Sequence, residues 1–117
     1  MEYETPVAGP PYRVLLLVAS TEGWYAASVE QRSNALDQLA VLLRQLLADG
    51  AELVGSFDDD LFATGQPLSL PYSIYMLVDV GDLAVIVRMT HALRSSELGA
   101  MIRLEARIGR PLFLLDR

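Results

Sequence analysis

The chain predicts an α+β fold in the order β-α-β-β-α-β: one four-stranded antiparallel sheet with two helices on one face. Three observations predict it. Four short runs rich in Val, Leu, Ile and Tyr recur along the 117 residues. Two longer stretches space apolar residues three and four apart, the period of an amphipathic helix. Gly, Pro, Ser or Asp residues punctuate the joins. A chain of this length forms one domain around one core.

Taken in order, Pro6, Gly9, Pro10 and Pro11 mark residues 1–11 as a flexible N-terminal arm ahead of a single domain over 12–117. "YRVLLLVAS" (12–20) is continuously apolar and suits a strand buried on both faces. A helix from about Ser28 to Asp49 follows, with Val29, Leu36, Leu39, Leu43, Leu46 and Leu47 as its stripe and Gly50 as its stop. "AELVGSFDDD" (51–60) alternates Leu53 and Phe57 with Glu52, Ser56 and Asp58, as a second strand. The stretch from Asp59 to Pro71 is a long connection that could cover a cavity mouth.

"YSIYMLVDV" (72–80) is the clearest strand, with Ile74, Met76, Val78 and Val80 on one face and Ser73, Tyr75, Leu77 and Asp79 on the other. In "GDLAVIVRMTHALRSSELGA" (81–100), Val85, Ile86 and Val87 favour a strand. The length, the Asp82 cap and the spacing of Leu83, Ile86, Val87, Thr90 and Leu93 favour a helix to about Arg94, which is preferred. A turn over 95–100 leads to a last strand, Met101 to Ile108, ended by Gly109 to Pro111.

Composition narrows the function. A hydrophobic fraction of 52% and a mean hydropathy of +0.31 exceed what a monomer of this size needs. They point to apolar area buried in a subunit interface or a ligand cavity. A net charge of −6, no Lys and nine Arg argue against a nucleic-acid partner. The absence of Cys removes disulfides and thiol chemistry. The start lacks a secretory pattern, and the longest apolar runs, near 14–19 and 83–87, are too short to span a bilayer. No membrane association and a cytoplasmic location are the expectation.

The last strand raises a question. "RLEARIGRPLF" puts Arg103, Glu105 and Arg107 on one face. Two helices cover only one side of four strands, so the other side carries Tyr75 and Leu77 beside that charged row. Such a face is too apolar for free surface and too charged for a plain core. Pairing two sheets face to face in a homodimer resolves the conflict, with the charges neutralising one another or a ligand.

The layout over residues 12–113 resembles the dimeric α+β barrel superfamily, whose fold is ferredoxin-like. "YSIYMLVDVGDLAVIVRMTHAL" followed by a short turn and "MIRLEARIGRP" is similar to the second half of muconolactone isomerase-like proteins, and "EARIGRPLF" to small IacB-type proteins. The resemblance implies a range of isomerases, cofactor-free monooxygenases of polyketide quinones, haem-handling enzymes and proteins of unassigned role. A shared fold does not fix a reaction among these.

Candidate residues each carry two readings. His91, the sole histidine, could point under the sheet into a pocket as a general base, with haem ligation as an alternative, or be a boundary residue bonded to backbone or water. Tyr75, with Glu105 and Arg107, could polarise or hold an oxygenated ring. It could equally be a core tyrosine, and the two charges an interface ion pair. Trp24 and Tyr25 could flank a flat ligand, with Arg103 also contacting it, or anchor the first helix. Asp58, Asp59 and Asp60 read as a solvated turn rather than a cation site, and Met76 and Met89 as core. Glycine-rich phosphate loops and nucleotide fingerprints are missing, as is the elbow motif of Ser-His-Asp hydrolases. The expected function is a cofactor-independent isomerase, cyclase or monooxygenase acting on a hydrophobic or aromatic small molecule in an apolar pocket between sheet and helices. The alternative is a non-catalytic dimeric ligand-binding or accessory protein.

Overall fold

A computed structural model describes residues 10–61, 64–65 and 72–110. Most of the predicted arm, most of the connection before Pro71 and the tail after Arg110 therefore lie outside the described residues. The strands are β1 (Tyr12–Ser20), β2 (Glu52–Asp58), β3 (Ile74–Val80) and β4 (Ile102–Gly109). The helices are α1 (Glu22–Ala26), α2 (Val29–Ala48) and α3 (Ala84–Ser95), with a 3-10 turn at Glu97–Ala100. The sheet order is β2-β3-β1-β4 and every neighbouring pair is antiparallel. This is the ferredoxin-like arrangement, the predicted fold.

Local chemistry sets the helix ends. Ser28 and Gln31 exchange hydrogen bonds in a capping box, with the Gln31 N–H donating to Ser28 Oγ at 3.1 Å and the Ser28 N–H to Gln31 Oε1 at 2.9 Å. Gly50, at φ +109°, turns the chain out of α2 in the left-handed region open to glycine. Asp82 Oδ1 accepts the Ala84 N–H at 2.9 Å and starts α3. There Val85, Ile86, Met89 and Leu93 are buried, so burial of a helical face outweighs the strand preference of the branched residues.

The core lies between one sheet face and α2 with α3. Val14, Leu16 and Val18 of β1, Met76, Val78 and Val80 of β3, and Ile102 of β4 face Ala35, Leu39 and Leu46 of α2 and the buried side of α3. Both predicted methionines are in it.

Four details differ from the expectation. α1 has no counterpart among the predicted elements. On α2 the buried arc is centred on Ala35, Leu39 and Leu46, leaving Val29 and Leu36 exposed. Packing against α3 and the 3-10 turn as well as the sheet draws that arc to one side. On α3, Val87 is exposed, while Val85 and Met89 take the core positions expected of Val87 and Thr90. In β2, a register shift at Val54 sets Leu53 opposite Val78 but Phe57 opposite Tyr75, so the two alternate as if on different faces.

Candidate site on the open face of the sheet

The strand registers lay out as rows the face that no helix among the described residues covers. Phe57, Tyr75, Leu17 and Glu105 stand side by side across β2, β3, β1 and β4; Gly55, Leu77, Leu15 and Arg107 form the next row; Glu52, Asp79, Arg13 and Gly109 the one after. Ala19 stands opposite Arg103 at the other end. The face thus has an aromatic side at β2 and β3, an aliphatic middle and a charged side at β4. Phe57 and Tyr75 pack with ring centroids 5.6 Å apart.

On the charged side, the Tyr72 hydroxyl donates to Glu105 Oε2 at 2.6 Å, and Arg107 Nη2 donates to the same oxygen at 3.1 Å. No hydrogen bond engages Glu105 Oε1 among the described residues, and the side chain is 42% exposed. The bond from Tyr72, then that from Arg107, holds the Glu105 carboxyl below its ordinary range and keeps it ionised. The same bond to Glu105, with burial, pushes the Tyr72 phenol up and keeps it protonated. A neutral donor, an anionic acceptor and a cation therefore sit together beside Leu15 and Leu17. At the far end of the face, Arg13 grips Asp79 through two bonds of 2.8 and 2.9 Å. That pairing lowers the Asp79 carboxyl and raises Arg13.

The predicted site residues divide between three places. Tyr75, Arg103, Glu105 and Arg107 share the open face. Tyr75 is separated from Glu105 by Leu17, and Tyr72 rather than Tyr75 reaches the carboxylate. His91 does not point beneath the sheet. It is exposed on α3, with Nε2 3.4 Å from Ser95 Oγ, because the buried side of the helix is filled by Val85, Ile86, Met89 and Leu93. Trp24 packs against the core cluster around Val18 and Leu39. Arg32 stands 5.8 Å over the Trp24 ring and donates to Trp24 O and Tyr25 O at 2.8 and 2.9 Å, which supports the anchoring reading. Tyr25 is 71% exposed.

Tyr72 was missed because strict alternation groups it with Ile74 on the helix face. The strand begins only at Ile74, so that parity does not govern Tyr72. The aspartate run folds locally, with the Asp60 N–H donating to Asp58 Oδ1 at 3.2 Å.

Among the described residues, three open clefts can be traced. One of about 380 Å³ runs between α1, α2 and the 3-10 turn beside Gly23, Gln38 and Glu97. One of about 390 Å³ lies between sheet and α2 at Leu43, Phe57, Ile74 and Met76, and one of about 290 Å³ between α2 and α3. None is lined by a predicted site residue. No helix among the described residues is long and apolar enough to cross a membrane.

Comparison with solved structures shows the fold. A tryptophan variant of chlorite dismutase from Candidatus Nitrospira defluvii in complex with cyanide superposes with a TM-score of 0.59 at 13% identity, covering 90% of this chain and 42% of that one. The same enzyme in complex with imidazole gives 0.54 at 13%, with 91% and 43% covered. A further chlorite dismutase-like chain gives 0.52 at 20%, with 87% and 44% covered. The chain thus spans less than half the length of these neighbours, and at such identities the likeness is one of fold. No family model matches the chain, and no curated protein matches it.

Proposed function

We propose that the chain is a cytoplasmic, homodimeric small-molecule enzyme that acts without a cofactor on an apolar or aromatic compound bearing an oxygen. The observation that supports this most is the Tyr72–Glu105–Arg107 cluster on an otherwise apolar face. Glu105 Oε1 would take a proton from the substrate, and the electrons left behind would move onto a substrate oxygen held by the Arg107 guanidinium, with the Tyr72 hydroxyl orienting the carboxylate through Oε2. Isomerisation or cyclisation would return the proton at another atom, and an electron-rich phenolate would be primed for oxygenation. The resemblance to muconolactone isomerase-like and IacB-type proteins is compatible with this chemistry, as is the chlorite dismutase-like fold. Arg103 and Tyr75 would bound the site. His91 is exposed and lines none of the three clefts, so it does not fit as the ligand of a haem held there, and Glu105 is favoured over it for the proton.

One observation favours the accessory reading instead. Tyr72 and Arg107 both bond to the same oxygen of Glu105, so the cluster already satisfies itself. Native mass spectrometry of the purified protein, under gentle and then activating conditions, separates the two. The enzyme reading expects a dimer that releases a discrete small molecule, with Glu105→Gln retaining the dimer but losing turnover of that molecule. Unchanged turnover in Glu105→Gln would remove the cluster from the chemistry.

A further inference from the structure

The cleft between α1, α2 and the 3-10 turn lies on the helical side of the molecule, away from the Tyr72–Glu105–Arg107 cluster. Its volume of about 380 Å³ falls within the range of about 300–1,000 Å³ usual for small-molecule pockets. Beneath it the core is filled, with Ala35, Leu39 and Leu98 packed against Val18 and Ile102. Four polar side chains converge on the space above. Gln31, Asn34 and Gln38 follow one another at three- and four-residue steps along one side of α2, and Glu97 approaches from the 3-10 turn. α2 carries charges at Glu30, Arg32, Asp37 and Arg44, yet every position it gives to this cleft is uncharged. Gln31 Oε1 already accepts the Ser28 N–H at 2.9 Å, which leaves the amino group of Gln31 to donate. No side-chain hydrogen bond or ion pair among the described residues engages Asn34, Gln38 or Glu97. Asn34 and Gln38 each offer a donor and an acceptor, and Glu97 offers acceptors and the one charge among the lining residues.

A ligand that matches this set carries N–H donors and one positive charge. An anion would find no partner, since no Arg lines the cleft and Arg32 is spent on the carbonyls of Trp24 and Tyr25 at 2.8 and 2.9 Å. The net charge of −6 favours a cation too. Gly23, Ala27 and Ala100 reach no further than a Cβ, so a flat ring can lie close to the backbone between them. We infer that this cleft binds a small, flat organic cation, with an amidinium or guanidinium group on Glu97 and its remaining polar atoms on Asn34 and Gln38. Such a group gives a carboxylate two parallel N–H bonds, which a lone ammonium does not. Its occupant ties α1, α2 and the 3-10 turn together.

Benzamidine, benzamide and benzoate share one shape and differ in charge, so they serve as probes. Each would be titrated into the isotopically labelled full chain while backbone amide shifts are followed by NMR. The expected result is saturable shifts at Gly23, Ala27, Gln38 and Glu97 with benzamidine, weaker binding there with benzamide and none with benzoate. Glu97→Gln should lower benzamidine affinity about tenfold, the weight of one hydrogen bond to a charged group, and bring it level with benzamide. Ala26→Met sets a longer side chain over the cleft from the exposed end of α1 and should weaken both, with unchanged shifts elsewhere reporting an intact fold. Benzoate binding as well as benzamidine, or benzamidine affinity unchanged in Glu97→Gln, would overturn the inference. Shifts that spread over Asp58, Asp59 and Asp60 without saturating at the cleft would overturn it as well.

Discussion

Gly23 offers a sharp test of how the first strand is joined to the helical layer. A Cβ at this position would run into the carbonyl oxygen of Ala100. That oxygen cannot yield easily, because it accepts the Thr21 hydroxyl at 2.5 Å, while the neighbouring Met101 carbonyl accepts the Thr21 N–H at 3.1 Å. Gly23→Ala must therefore push the 3-10 turn away from α1 and loosen both Thr21 bonds. Overpacking against backbone of this kind costs about 1–3 kcal/mol. For a chain of this length that is a fall in Tm of roughly 5–15 °C. Gly81→Ala is the control, since a Cβ there meets no atom within 4 Å and Gly81 has no positive φ. The assay is thermal unfolding followed by circular dichroism, with both variants beside the parent protein. Equal melting temperatures for Gly23→Ala and Gly81→Ala would refute the close approach of α1 to the 3-10 turn.

Other expectations concern the core, the cap and pH. Leu46, 1% exposed between α2 and the sheet, should cost about 2–5 kcal/mol when replaced by Ala, read from urea midpoints. Ser28→Ala removes one half of the capping box and should cost about 0.5–2 kcal/mol by the same measure. Glu105 and Asp79 have folded values depressed below 4.5 and 3.8, so their contribution is complete above those values and lost as pH falls through the lower folded ones. Urea midpoints should drop on acidification below about pH 4.5, and less steeply for Glu105→Gln. Tyr72 is shifted the other way from 10.0; its contribution is complete below that value and lost as pH rises through the higher folded one. Alkaline absorbance titration should show a late component that Tyr72→Phe removes.

Much of the fold was legible because it is written in periodicity. The alternation of Ile74, Met76, Val78 and Val80 and the three- and four-residue spacing of the leucines each encode an element directly. What escaped was set by tertiary packing. Leu36 and Val87 fit their helical stripes on paper, yet the space they would occupy is taken by residues one or two positions away, Ala35 and Val85. The bulge at Val54 leaves no mark in an alternating sequence. The site was half legible: period two alone puts Arg103, Glu105 and Arg107 on one face, whereas Tyr72 contributes from irregular backbone ahead of β3, where no period applies. His91 is singled out by its chemistry alone, and a titratable side chain on a helix says little about which way the helix turns.

The proposed homodimer makes the apolar, charged-rimmed face of the sheet an interface. Sedimentation equilibrium at micromolar concentration tests it most directly, comparing the parent protein with Leu77→Arg, which sets a cation in the aliphatic middle of that face without touching the core. The expected result is a dimer of 12.9 kDa chains that becomes a folded monomer in Leu77→Arg; a parent protein that sediments as a monomer, or a dimer indifferent to Leu77→Arg, would overturn the proposed interface.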